Sequence, residues 1–412
     1  MKYKMSFYHL GKFNKVVLYE PEEPVEKSKI ALICMHSNGD YSDFPAGKSL
    51  AEKGYRVLCG KPGTGEGPLY KKLEAVKKAI EGAKKLPGVE RVILLGHSGG
   101  ATLMSCYQAV AENGCQIFQG EKMIVPMPDI EPLPAADGIL LLDSNFGNSV
   151  MTAISIDPAV IDEESGVKLD PELDSFNPAN GFSKEGAHYS LEFKKKYLAG
   201  QKARYGRLID KALERYAALE NHQGKYFDDE PFYAPGACTM ALNNRLFPQD
   251  ISLLAHTEDE YKLIHPDGSI TTEIIRSVRK PRGMSSPTPL FVLGASRDTV
   301  KEFLTGGAIR LTDEYDIDET HISGLDLDSC YSCTIGNSRY ISCPALIMGM
   351  TAGYECIAAE SIWRNIGSRD KDIAFVEGAT HMIVPEKGDV DYGDTIETTF
   401  KYVDGWLEKH FC

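Results

Sequence analysis

The sequence predicts an α/β fold: a doubly wound, mostly parallel sheet interrupted by a large, mainly helical cap insertion. Three observations carry this expectation. Short apolar runs alternate with amphipathic stretches through the first third of the chain, as parallel strands and crossover helices require. The rhythm lapses after residue 145 and resumes at residue 343. One apolar run ends in a Gly-X-Ser-X-Gly turn that opens directly into a helical pattern.

In chain order, residues 1–15 mix Lys, Tyr, Phe and Leu without the apolar stretch of a signal peptide, and no later segment approaches the roughly 18 apolar residues of a membrane span. A cytoplasmic chain with no membrane partner is expected. The runs KIALICM (29–35), YRVLC (55–59), RVILL (91–95) and GILLL (138–142) read as buried strands, each closed by a polar or glycine-rich turn. Between them, YKKLEAVKKAIEGAKKL (70–86) places apolar residues at helical spacing with lysines outside, and residues 101–112 continue from the glycine turn as a second helix. Residues 146–342 are rich in Asp, Pro and Asn loops around one long helix near 190–220. The strand rhythm returns with PALIMGM after Cys343 and DIAFVEG at 372–378, before a final helix at 402–410. The expected organisation is therefore a core from 1–145, an inserted cap from 146–342 over the carboxyl ends of the strands, and the rest of the core from 343–412.

Composition narrows the function classes. With 412 residues, 42% hydrophobic and 25% charged, the chain can bury a sizeable core. A net charge of −14 argues against general nucleic-acid binding, which needs a basic face to displace phosphate counterions. The ten cysteines, several inside apolar runs, suit buried thiols in a reducing compartment. Cys330 and Cys333 form one CxxC, but no second pair completes the four ligands of a structural zinc site, so no metal is expected.

The sharpest motif is Gly96-His97-Ser98-Gly99-Gly100, set between RVILL and ATLMSCYQAVAE. A serine on a tight strand-to-helix turn needs small neighbours, and its hydroxyl then projects above the sheet as a nucleophile. His97 is expected to pack within this turn. A serine hydroxyl requires a base, and His381, just beyond the last apolar strand and ahead of the final helix, is in place for it. The acid that would orient His381 is less sharply marked. Glu355, 26 residues earlier and near the end of PALIMGM, is the first choice, with Asp298 and Asp143 as competitors. For a tetrahedral oxyanion, Gly99 would supply one backbone N–H and Asn38, in the turn after KIALICM, the second. Ser37 is the next choice for that second donor, and an ordinary Asn-Gly turn is the competing reading.

At these residues the chain resembles the alpha/beta-hydrolase superfamily, and MHSNGDYSDFPAGKSLAEKGYRVL, LLGHSGGATLMSCYQA and IDPAVIDEESGVKLDPELDSFNPANGF are similar to a poorly characterised branch of large, capped members. The resemblance implies an esterase-like serine hydrolase acting on a small-molecule acyl substrate without a cofactor. Such relatives commonly carry T-A-D after the penultimate strand; here Thr351-Ala352 precedes Gly353, so that aspartate is missing. An acyltransferase, a carbon–carbon bond hydrolase and a non-catalytic binding protein of the same fold remain open, as does the oligomeric state. Three weaker features read blandly. Gly63-Thr64-Gly65-Glu66-Gly67 lacks the ending of a phosphate loop, the eight basic residues within 194–215 read as a solvated helix face rather than a steering surface, and Asp170, Asp174, Asn177 and Asn180 do not follow a calcium-loop spacing.

Overall fold

The computed structural model describes residues 1–11, 15–63, 67–238, 245–281 and 294–412. The strands are β1 (Tyr3–His9), β2 (Lys15–Pro21), β3 (Ile30–Met35), β4 (Arg56–Gly60), β5 (Arg91–His97), β6 (Gly138–Leu142), β7 (Pro231–Pro235), β8 (His256–Ile264), β9 (Ile270–Arg276), β10 (Ala295–Thr299), β11 (Arg310–Ile317), β12 (Ile322–Asp326), β13 (Ala345–Met350) and β14 (Lys371–Val376). Ten of them form one sheet in the order β1-β2-β4-β3-β5-β6-β13-β14-β8-β9. Pairing is parallel from β4 through to β8, and antiparallel pairs close both ends.

The central strands are buried on both faces, so their sequences read as continuous apolar runs. Alternate residues enter separate cores. Ile33, Leu94, Leu141 and Ile347 face a cluster that includes Leu73, Val76 and Leu103, from the helices α2 (Leu69–Ala83) and α3 (Gly99–Asn113). Their neighbours Leu32, Ile93, Leu140 and Leu346 join Leu50, Phe400 and Trp406, from helices on the opposite face, α1 (Pro45–Ala51) and the C-terminal helix Thr395–Phe411. A one-residue slip of any central strand would exchange these two sets, which fixes the register.

β3 is flanked by β4 on one side and β5 on the other, so the chain leaves the sheet centre in both directions between β3 and β5. The crevice at the carboxyl ends of such strands is where open α/β sheets place ligands.

The inserted segment differs from the expected boundaries. Its long helix, Leu191–Glu220, lies where the sequence places it. Two small antiparallel sheets accompany it, β7 with β10 and β11 with β12. Yet β8 and β9, both inside 146–342, belong to the main sheet, with β8 pairing in parallel with β14. The unbroken cap over 146–342 is thus corrected: 256–276 are core. Consecutive residues of both strands are exposed over much of their length, so they lack the apolar run that marks the central strands. Of the eight basic residues on the long helix, Lys196, Lys202, Arg204 and Arg215 pair with Glu172, Asp313, Glu163 and Glu230, all in the inserted segment, so half of that charge ties the segment together. Among the described residues, no helix is long and apolar enough to cross a membrane.

Excising 146–342 and joining the flanks with a short linker strips β14 of its β8 neighbour. The excised chain is expected to lose a cooperative melt by circular dichroism, whereas a sharp transition would show that β8 and β9 are dispensable to the core.

Candidate active site

Ser98 sits between β5 and α3 with φ 55° and ψ −132°, a left-handed conformation that costs a non-glycine residue of order 1–3 kcal/mol and persists only where its surroundings enforce it. Close backbone approach on both sides supplies the enforcement. A Cβ on Gly96 would lie 2.5 Å from the Cα of Ala101, and one on Gly100 would lie 2.5 Å from the carbonyl oxygen of Met35. The first glycine lets the strand meet its own helix, and the second lets that helix meet β3.

The structure brings Ser98 and His381 together, with Ser98 Oγ 2.9 Å from His381 Nε2. His381 lies in the turn after β14, where Thr380 and Val384 are joined by an N–H to carbonyl bond of 2.8 Å. The carboxylate on its other nitrogen is Asp143, whose Oδ2 stands 2.6 Å from Nδ1. Asp143 Oδ1 accepts the Met350 N–H at 2.8 Å, so both carboxylate oxygens are held. This overturns the choice of Glu355 as the residue bonded to His381. The sheet order gives the reason: β6 lies next to β5, and its carboxyl end falls between the turns bearing Ser98 and His381. Glu355 stands at the start of the helix after β13 and lines the cavity that opens over Ser98, with its Oε2 3.0 Å from where a Gly353 Cβ would sit. Its charge reaches His381 without a hydrogen bond. Asp298 is on β10, outside the main sheet, and accepts the Ser296 hydroxyl.

Burial disfavours the imidazolium of His381, but the negative charge of Glu355, together with the hydrogen bond and charge of Asp143, outweighs it and raises this histidine above its ordinary value. Burial conversely pushes the Asp143 carboxyl up, against the pull of the His381 hydrogen bond and charge. An imidazole between a hydroxyl and a carboxylate can take the hydroxyl proton on Nε2 while the carboxylate fixes the proton on Nδ1.

His97 packs in the turn as expected and does more. Its Nε2 is 2.5 Å from the carbonyl oxygen of His381, and its Nδ1 is 2.7 Å from the Tyr41 hydroxyl. Complete burial drives this ring well below the usual histidine range, so Nε2–H donates to the carbonyl and Tyr41 donates to Nδ1. The sequence offered no signal for that pairing, because Tyr41 lies 56 positions away.

Around Gly99 the outcome is mixed. The Asn38 amide, expected to be a free donor, instead donates to His36 Nδ1 at 3.1 Å, beside the Gly39 amide at 2.7 Å. A histidine immediately before the turn captures both N–H groups, and this corrects the Asn38 assignment. The Asn38 side chain is itself fixed, its Oδ1 accepting from Lys72 Nζ at 2.9 Å. Ser37 is buried, and its Oγ accepts from Asn148 Nδ2 at 3.0 Å. A cavity of about 1470 Å³ opens over Ser98, Gly99 and His381, and Met151, Ser296 and Glu302 of the inserted segment form part of its wall.

Other candidates fall elsewhere. The thiols of Cys330 and Cys333 are buried against Ser149 Oγ and the Phe146 carbonyl. Asp170 and Asp174 accept the amides two residues ahead, as turn residues do. Of the Gly63-to-Gly67 loop, residues 64–66 lie outside the described residues.

No protein-family model matches the sequence, and no curated protein matches it. Solved structures do align, distantly. A hypothetical protein from Pseudomonas aeruginosa is 13% identical, with 100% of this chain and 94% of that one covered and a TM-score of 0.46. Est1E from Butyrivibrio proteoclasticus is 12% identical, with 98% of each chain covered and a TM-score of 0.40. A proline iminopeptidase from Mycobacterium smegmatis is 10% identical, with 99% and 98% covered and a TM-score of 0.40.

Gly96→Ala forces a side chain against the Ala101 backbone, which cannot rotate away. A loss of about 1–3 kcal/mol is expected, read as a lower urea midpoint at unchanged slope; an unchanged midpoint would mean that the turn relaxes freely. The mostly parallel sheet with its strand order, the serine on the turn after β5, and the histidine beyond the last parallel crossover give the chain the alpha/beta-hydrolase fold.

Proposed function

We propose that the protein is a serine hydrolase that cleaves a small-molecule carboxylic ester through an acyl-enzyme. The observation that supports this reading is the continuous chain of hydrogen bonds from Ser98 through His381 to Asp143, with the serine facing a cavity large enough for a ligand. Ser98 Oγ attacks the ester carbonyl carbon as His381 Nε2 accepts its proton. The tetrahedral oxyanion forms beside the Gly99 N–H, at the amino end of α3, whose dipole favours negative charge. Collapse expels the alcohol, which leaves with the proton from Nε2. A water then attacks the acyl-enzyme by the same route, giving the carboxylic acid and restoring Ser98. Asp143 keeps the imidazole in the required tautomer and balances its charge during both steps. Substrate choice falls to the cavity wall, where Lys72 and Asp298 add polar side chains to the lining that includes Ser98, favouring an ester with polar groups.

A fluorophosphonate probe is expected to label Ser98, located by mass spectrometry, and Ser98→Ala to abolish labelling and ester turnover. Asp143→Asn is expected to slow kcat roughly 10³–10⁴-fold, and Glu355→Gln far less. Folded protein that never labels would sink the nucleophile assignment, and equal losses in the two carboxylate variants would sink the separation of roles.

Because His381 acts as a base only when neutral, kcat/KM should fall as pH drops through its raised pKa, above the ordinary histidine value of about 6.5. Glu355→Gln removes a negative charge that favours the imidazolium, so the acid limb should move to lower pH. A pH–rate profile in which that limb stays put or moves upward contradicts this account.

A further inference from the structure

We propose that His36 is a catalytic residue, its Nε2–H donating directly to the oxyanion alongside the Gly99 backbone N–H. The inference rests on the serine-hydrolase reading above and completes its oxyanion site, whose expected second donor is spent.

Two amides of the turn after β3, from Asn38 and Gly39, converge on His36 Nδ1 at 3.1 and 2.7 Å. An atom that accepts two N–H bonds carries a lone pair and no hydrogen. A neutral imidazole has one N–H, and here that leaves only Nε2 to bear it. The ring stays neutral because burial, the charge of His381 and the charge of Lys72 all act against protonation, in that order, bringing it down to about 4. The tautomer is thus fixed by the backbone, and the donor needs no proton from solvent.

Its position matches the role. His36 Nε2 lies 3.0 Å from the point where a Cβ on Gly99 would stand, beside the first residue of α3 and in the cavity that holds Ser98. A side chain on Gly99 would meet Ser37 Oγ and Asn148 Oδ1 at 2.8 Å as well as His36 Nε2, so the glycine leaves room for all three groups at the start of α3. Stacking on Tyr41, with ring centroids 4.9 Å apart, limits rotation of the imidazole. A donor that is neutral, oriented and shielded costs little reorganisation when charge develops on the substrate oxygen.

Two substitutions separate this role from simple support of the turn. His36→Asn places an amide oxygen near the Nδ1 position, so it retains an acceptor for the Asn38 and Gly39 amides, and it removes the group at Nε2. His36→Gln places an amide N–H near Nε2 and gives up the Nδ1 acceptor. With p-nitrophenyl esters as the probe, His36→Asn is expected to lower kcat about 10²–10³-fold with KM little changed, and His36→Gln to retain more kcat while melting at a lower temperature. A His36→Asn enzyme with near-wild-type kcat overturns the proposal, as does a pair in which Gln is the more damaged in kcat. Ser98→Ala, assayed in parallel, distinguishes the two levels: activity surviving without the Ser98 hydroxyl refutes the serine-hydrolase reading itself, whereas a dead Ser98→Ala beside an active His36→Asn refutes only the role of His36.

Discussion

The hydrogen bond between Asp143 and His381 is the constraint around which the site is organised. Asp143 is a carboxylate with no side-chain exposure, and a charge removed from water at that depth persists only when its oxygens are paired. One oxygen takes the Met350 amide and the other takes the imidazole. Each partner comes from a different strand end, β13 and β14, so satisfying the carboxylate also sets the spacing of three neighbouring strands at their carboxyl edge. The residue itself is held at φ 40°, a strained conformation for an aspartate, and its backbone carbonyl accepts the Ser98 N–H at 3.3 Å. Side chain and main chain of one residue therefore reach both members of the Ser98–His381 pair.

That arrangement explains what the sequence made legible and what it left hidden. Ser98 was readable because its chemistry is local: a buried strand, two glycines that permit close backbone approach and a helix, all within a few residues. His381 was readable from its place after the last strand. The carboxylate bonded to His381 was not, because choosing between Asp143 and Glu355 requires knowing which strand lies beside β5, and strand adjacency is a long-range property. β6 and β13 are both apolar runs followed by a carboxylate within a few positions. The expectation of an acid after β13 followed the pattern of relatives, while the sheet places β6 immediately beside the serine strand. β8 and β9 escaped notice for a related reason. Strands near a sheet edge need no continuous apolar run, so their polar sequences, such as HTEDEYKLI, blend with the loops of the insertion.

The misplaced Asn38 has a different physical origin. A turn amide looks equally available from sequence whether it faces a ligand or a neighbour, and here a histidine one position before Ser37 draws two amides onto its ring. The consequence is an exchange: the backbone surrenders a donor and the side chain gains one of fixed tautomer. Lys72 on α2 then holds the Asn38 side chain from the far side, linking the turn to the helix that packs under β3. The turn after β3 is consequently organised by side chains from two elements rather than by its Asn-Gly sequence.

The same logic of neutral, buried imidazoles extends to His97, one residue before Ser98. Its ring donates to the His381 carbonyl and accepts from Tyr41, so the main chain of His381 is tied to the strand that leads into Ser98. Ser98 and His97 each form a hydrogen bond to His381, one at the ring and the other at the backbone. Two attachments of this kind define a distance and an orientation where a single hydrogen bond would define only a distance, and the proposed proton transfer from Oγ to Nε2 depends on orientation. Burial keeps the ring of His97 uncharged, so its Nε2–H serves the His381 carbonyl while the Tyr41 hydroxyl donates to Nδ1. Its burial among Phe44, Tyr41 and His381, with ring centroids 4.8 to 5.8 Å away, is therefore what makes the attachment durable.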